Sequence, residues 1–203
     1  MTSDDKLLAN APLGRSARAE RAILDATREL LADNGVRGLT IEAVTARSGV
    51  AKTTIYRRWR DRDELALAAV WTDLDTGLES PGDLGDTRAE LVAFIEPVVT
   101  TLRSALLSNV IRGLASEIAT NPELSRVYRE ELIEPRVAQV ELVVKRGVQR
   151  GDLRPDTDAR LAHEMLVGPV LYRLLFSGAP LDDDLGSRIA DAVLRAFASD
   201  SDG

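Results

Sequence analysis

The chain contains no cysteine. Disulfides, thiolate nucleophiles and cysteine metal sites are therefore excluded. It contains one histidine, His163, too few for a multi-histidine metal centre or for a Ser-His-Asp triad with a spare histidine. Aromatic residues make up only 4% of the chain, a poor supply for strands, which draw on β-branched and aromatic side chains. The longest uncharged apolar stretch on a candidate helix, Met165 to Tyr172, falls far short of the ~20 residues of a membrane span. No phosphate-cradling glycine loop, nucleophile elbow or metal-ligand spacing is present. Catalytic residues, metal and cofactor are each expected to be none, and the chain is not expected to be an enzyme. Residues 1–15, MTSDDKLLANAPLGR, hold two acids, no long apolar core and no basic run. They do not read as a secretory signal, so a cytoplasmic protein with no membrane partner is the expectation.

What is present favours helices. Hydrophobic residues account for 44% and charged residues for 29% of 203 positions, ordinary for a globular chain of one or two domains. The net charge of −7 argues mildly against a nucleic-acid binder, but it hides an asymmetry. Residues 1–65 hold 12 Lys/Arg and 10 Asp/Glu, whereas residues 66–203 hold 14 and 23. Within residues 44–62, Arg47, Lys52, Arg57, Arg58, Arg60 and Arg62 face a single acid, Asp61. A basic segment on an acidic chain suggests one anion-facing surface.

Residues 1–15 read as a flexible tail. Ala22, Ile23, Ala26, Leu30 and Leu31 form one apolar stripe, which predicts a first helix from Ser16, a candidate N-cap, to Asn34, with Gly35 as its stop. Thr40 caps a short second helix with Ile41 and Val44 inward and Glu42 in the first turn. Ser48-Gly49-Val50 turns the chain into a third helix, expected over Lys52 to Trp59 with Ile55 and Trp59 in the core. Asp61 and Glu64 have capping-box spacing and open a fourth helix carrying Leu65, Leu67, Ala68, Trp71 and Leu74, which fades over residues 77–85. Further helices are expected over residues 86–108, with Pro97 bending or breaking it, and over 110–120. Asn121-Pro122-Glu123 opens another, reaching Arg150 with a kink at Pro135. The last two are expected over 157–177 and 182–198. The stretch from Leu161 to Phe176 is apolar almost all round, so it is expected to be buried on more than one side, either at the centre of the domain or, the favoured reading, on its own domain and on a partner chain.

Two short helices joined by a glycine turn, the second followed by arginines, make a helix-turn-helix candidate, in which the first helix backs a second that enters a major groove. The run Ile23-Leu24-Asp25-Ala26, Leu30, Gly35, Thr40-Ile41, Val44, Ser48-Gly49-Val50, Lys52, Thr54-Ile55-Tyr56, Trp59 and Glu64-Leu65 resembles the N-terminal domain of TetR-type regulators. Arg146-Gly147, the stretch from Gly151 to Asp158, Gly168-Pro169, the stretch from Tyr172 to Leu175 and Pro180-Leu181 resemble a ligand-domain subtype of the same family. The resemblance implies an all-α homodimer of about nine helices: a DNA-binding domain over residues 16–62 and a ligand-binding and dimerisation domain over residues 63–203. It departs from the family pattern at Ala51, where Ser or Thr is frequent, and at Thr53, where a small residue such as Gly is frequent.

The expected DNA-binding set is Thr40, Arg47, Lys52, Thr53, Thr54, Tyr56, Arg57, Arg58 and Arg62. Lys52 and Tyr56 fit phosphate anchors, and Thr40 a cap beside a phosphate. Thr53, Thr54 and Arg57 fit base edges, since arginine can bridge guanine O6 and N7 and a threonine methyl suits a thymine methyl. Arg58 and Arg62 fit phosphates or plain surface charge, and Arg47 equally a surface ion pair. Trp71, Phe94, Val98, Leu114, Ile118, Tyr128, Leu132 and Met165 are candidates for a ligand cavity. Each is also a plain core candidate, and His163 reads as structural. Leu166, Val170, Leu174, Ile189 and Val193 are the expected dimer interface. The expected function is a transcriptional regulator, a repressor bound to a palindromic double-stranded DNA operator and released by a small-molecule effector. The alternative is a small-molecule- or partner-binding helical module without specific DNA binding.

Overall fold

A computed structural model describes residues 15–75 and 81–199, the side chains of residues 70–75 apart. Among the described residues there is no strand, only an isolated antiparallel bridge between Leu153 and Ala198. The chain divides into two compact units at Ala69 and Val70. No single helix among the described residues is long and apolar enough to cross a membrane.

The first unit contains α1 (Arg15–Gly38), α2 (Ile41–Ser48), α3 (Lys52–Tyr56) and the start of α4 (Arg62–Asp75). Its core gathers the α1 stripe of Ile23, Ala26, Leu30 and Leu31 against Leu39, Val44, Ile55, Trp59 and Leu65. Gly35 has φ 64° and ψ −177°, so it kinks α1 rather than ending it, and helical residues resume as far as Gly38. Ser16 lies inside the first turn rather than capping it. α3 stops three residues short of the expected Trp59. The Ile55 carbonyl takes both the Arg58 and the Trp59 N–H at 3.0 Å, which tightens the last turn and closes the helix. Asp61 then caps α4, accepting from the Asp63 and Glu64 N–H groups at 3.0 and 2.9 Å. Glu64 reaches back to the Arg60 N–H at 2.8 Å, one residue beyond the partner of a standard capping box.

The second unit contains α5 (Thr87–Leu102), α6 (Ala105–Thr120), α7 (Pro122–Tyr128), a π-helical turn (Arg129–Ile133), α8 (Glu134–Arg150), α9 (Ala159–Tyr172), a second π-helical turn (Arg173–Ser177) and α10 (Leu185–Phe197). Side chains of Asp86, Asn121 and Asp158 accept from N–H groups in the first turns of α5, α7 and α9, so these helices start where a capping oxygen stands. The break between α5 and α6 falls at Arg103 and Ser104 rather than at residue 109. There the Arg103 N–H is shared between the Val99 and Thr100 carbonyls at 3.1 and 3.3 Å, the Ser104 N–H reaches back only three residues to Thr101, and the helix axis turns by 88°. Pro97 lies within α5 without breaking it. The kink expected at Pro135 is a π turn placed just before it. The Glu134 N–H donates to the Arg129 carbonyl, five residues back, a widened register at the point where a proline ring would meet a carbonyl of the preceding turn.

α5 is the hub of this unit, touching α6, α8, α9 and α10. Glu90, fully buried on α5, is held by Arg146 at 2.7 Å and Arg150 at 3.1 Å from α8 and accepts the Leu84 N–H at 3.2 Å. Beside it, Thr87 donates to Asp152 at 2.7 Å, and this hydrogen bond holds the Asp152 carboxyl below the usual range. Gly147 permits this close approach: a Cβ there would come within 2.7 Å of the Leu153 side chain and 2.9 Å of the Thr87 hydroxyl.

Candidate nucleic-acid interface

The helix-turn-helix starts from two caps. Thr40 accepts the Ala43 N–H at 3.1 Å at the start of α2. Gly49 closes α2 in the left-handed conformation, φ 69° and ψ 10°, and donates to the Thr45 carbonyl, a conformation that disfavours side chains with a Cβ. Ala51 then stands at the N-cap of α3 with no side-chain capping bond. Ile55 is the buried anchor of α3, and Trp59 supports the turn behind it. The helix consequently turns Lys52, Thr53 and Tyr56 outward, with Arg57 exposed just after it and Thr54 half-buried. Tyr56 is 49% exposed, which removes it from the core. Lys52 lies 5.9 Å from its ring centroid and also pairs with Glu42 of α2. That hydrogen bond lowers the Glu42 carboxyl and raises the Lys52 ammonium from their ordinary values.

The other expected cations divide according to their partners. Arg47 turns back onto α1, 2.8 Å from Asp33 and 3.7 Å from Glu29. Arg58 pairs with Glu20 and donates to the Ser16 hydroxyl at 2.9 Å. Arg62 is half-buried, 3.4 Å from Asp63. Arg57 alone of the nine expected residues is a cation with no ion pair among the described residues. The Arg58 contacts bring the N-terminal turn of α1, with exposed Arg15 and Arg18, beside the end of α3. Sequence reasoning missed these arginines because the link spans 42 positions.

Residues 23–69 match the family described as "Bacterial regulatory proteins, tetR family", and residues 81–193 match "Tetracyclin repressor-like, C-terminal domain", more than half of the chain. The chain belongs to the TetR family. This TetR-family chain is 28% identical over 183 residues to the uncharacterized HTH-type transcriptional regulator YdeS of Bacillus subtilis (strain 168), covering 90% of each. It is 28% identical over 185 residues to the DNA-binding transcriptional repressor TetR of Mycobacteroides abscessus, covering 90% of this chain and 95% of that one. Among solved structures it resembles the TetR family transcription regulator SCO0332, with a TM-score of 0.74 and 28% identity over 89% of this chain and 98% of that one. It is an all-helical, helix-turn-helix, DNA-binding transcriptional regulator.

The second unit of this TetR-family protein holds a cavity of about 50 Å³ between α5, α6, α7, the first π turn, α8 and α9. It brings together three of the eight expected ligand residues, Val98, Tyr128 and Leu132. Phe94 and Leu114 are buried core and Ile118 is half-buried elsewhere; none of the three lines the cavity. Met165 lines an open groove between α9 and α10, and the Trp71 side chain lies outside the described residues. Arg136 and His163 line the cavity and were not in the expected set. Of the five residues expected at a dimer interface, Ile189 and Val193 also line that open groove. Leu166, Val170, Leu174, Ile189 and Val193 are all buried within the single chain. The period that marks an apolar helix face does not say whether that face meets the chain's own core or another molecule. The outer side of α9 and its π turn instead exposes Leu161, Tyr172 and Phe176, the last at 78%.

Proposed function

We propose that this TetR-family regulator is a homodimeric repressor that occupies a partly palindromic operator and is released by a small-molecule effector. The observation that carries the DNA reading is the outer face of α3. Its backing, Ile55 and Trp59, is packed, and its polar tips, Lys52, Thr53, Tyr56 and Arg57, face outward. Lys52 and Tyr56 anchor phosphates, with Lys52 leaving Glu42 to do so. Arg57 and Thr53 read base edges. Arg47, tied to α1, acts as a structural ion pair, and Arg58 braces α1 rather than touching DNA. Two recognition helices must reach successive major grooves about 34–36 Å apart, so a second copy is required. The apolar outer side of α9 with Tyr172 and Phe176, their rings 6.0 Å apart, supplies the dimer contact. An effector that prefers a different spacing draws the population away from DNA by its differential affinity.

The test is a selection of DNA from a random or genomic library with the purified protein, sequenced after several rounds. A recovered inverted repeat supports the reading. A folded protein that enriches no motif overturns it in favour of a helical module without specific DNA binding.

A further inference from the structure

Between residues 40 and 60 the helix-turn-helix carries one acid, Glu42, against Arg47, Lys52, Arg57, Arg58 and Arg60. Its side chain is 70% exposed. From the first turn of α2 it reaches Lys52, the first residue of α3, ten positions away. Lys52 in turn stands 5.9 Å from the Tyr56 ring centroid. The carboxylate therefore lies at the N-terminal end of α3, the end from which a recognition helix contacts base edges. Stability does not explain an acid there. A first-turn acid complements the helix dipole, a role that requires no reach to α3. Val44 and Ile55 already anchor α2 and α3 in the core, both fully buried, and an ion pair this exposed adds little.

Against DNA the same carboxylate is a liability. The Lys52 hydrogen bond lowers it below the ordinary carboxyl range, so it enters the encounter ionised and able only to accept hydrogen bonds. Once Lys52 turns to a phosphate, the carboxylate faces a polyanion unless a base answers it. In the major groove the base donors are the amino groups of cytosine and adenine. Adenine sets its donor beside the N7 acceptor, which repels the second carboxylate oxygen. Cytosine presents its N4–H with no acceptor beside it on the same base. We propose that Glu42 is a specificity-determining residue of the operator complex, its carboxylate accepting the N4–H of a cytosine in each half-site. The assignment rests on reading α3 as the recognition helix. Off DNA, Lys52 neutralises the carboxylate; on the operator, Lys52 moves to a phosphate and the cytosine takes its place. A sequence without that cytosine leaves the carboxylate unanswered among phosphates, so Glu42 also selects against non-specific DNA.

The experiment selects DNA from a random library with the full-length wild-type protein, Glu42→Gln and Glu42→Ala, each variant verified as folded by its thermal transition. The wild-type motif is expected to hold a cytosine at one position of each half-site. Glu42→Gln is expected to change that position to adenine, because an amide bridges adenine N6 and N7. Glu42→Ala is expected to leave the position without preference and the other positions unchanged. Both variants are expected to bind scrambled DNA more tightly than the wild type does. A second readout uses the wild-type protein alone. Operator carrying N4-methylcytosine at that position lacks the free N4 hydrogen in the major groove and is expected to bind about tenfold more weakly. A motif that both variants preserve at every position, or an N4-methylated operator bound as tightly as the unmodified one, overturns the assignment and leaves Glu42 an internal partner of Lys52. A folded wild-type protein that enriches no motif overturns the recognition reading itself, and the assignment falls with it.

Discussion

Lys52 and Arg57 lie five positions apart on the same exposed surface, yet their surroundings give them different work. Lys52 is a point charge shared with Glu42 and the Tyr56 ring, suited to a phosphate. Arg57 has a planar fork and no ion pair among the described residues, suited to a guanine edge. Arg57→Ala is expected to relax base preference at one position, with a loss of about 1–3 kcal/mol on the preferred sequence. Lys52→Ala is expected to weaken all sequences similarly and to lower the salt slope by about one. Binding titrations at several salt concentrations on operator and scrambled DNA check both; uniform losses for both variants contradict the division. Ala51 is a second local point. With no oxygen at the α3 N-cap, Ala51→Ser is expected to stabilise the protein by about 1 kcal/mol, read as a shifted urea midpoint. His163 supplies a pH dependence. Its imidazole falls from the ordinary 6.5 to about 4, with Arg136, Arg160, Glu134 and Tyr128 around it. Between these values the unfolded chain binds the extra proton, so stability is complete above about pH 6.5 and is lost as pH falls towards 4. A His163→Phe variant should show a flatter pH profile of stability across that window.

Among the helices, α5 is organised around one buried carboxylate. Glu90 is met by Arg146 and Arg150, which tie α8 to α5. Glu90→Gln keeps the shape but takes the counter-charge from Arg146, while Arg150 retains Asp83 and Asp152, each at 3.3 Å. The expected cost is about 3 kcal/mol, at the lower end for a broken buried pair because both arginines keep some solvent contact. Chemical denaturation measures it, and an unchanged midpoint would remove the clamp from the account. Much of the helix plan was legible beforehand because caps are local. Thr40, Asp86, Asn121 and Asp158 each lie within three residues of the N–H groups they satisfy. The ends of α3 and α5 were not legible, since no glycine or proline marks them. Each closes because the last turn tightens its backbone hydrogen bonds, a choice made among near-equal local geometries. The π turn before Pro135 was signalled as a kink by the proline, but its register was not.

For the molecule as a whole, the proposed homodimer is the property on which operator recognition would depend. Exposed Tyr172 and Phe176 are expected to be covered by a second copy, and light scattering at micromolar concentration is expected to give twice the chain mass. Replacing both with Ser is expected to shift the population towards monomer and to weaken operator binding. A wild-type protein that scatters as a monomer contradicts the arrangement.

Composition, helical period and the spacing around Gly49 were enough to establish an all-helical chain with a helix-turn-helix near its start. Those properties depend on neighbours within a few positions, and hydrophobic period is an intrinsic record of one buried face. Which face meets which element is another matter. Leu166 and Val170 on α9 entered the chain's own core, Arg58 found Ser16, and Arg136 met His163 around one cavity. Those pairings rest on contacts between residues 27 to 42 positions apart or more, where packing and the satisfaction of buried polar groups decide among partners that a linear pattern leaves equivalent.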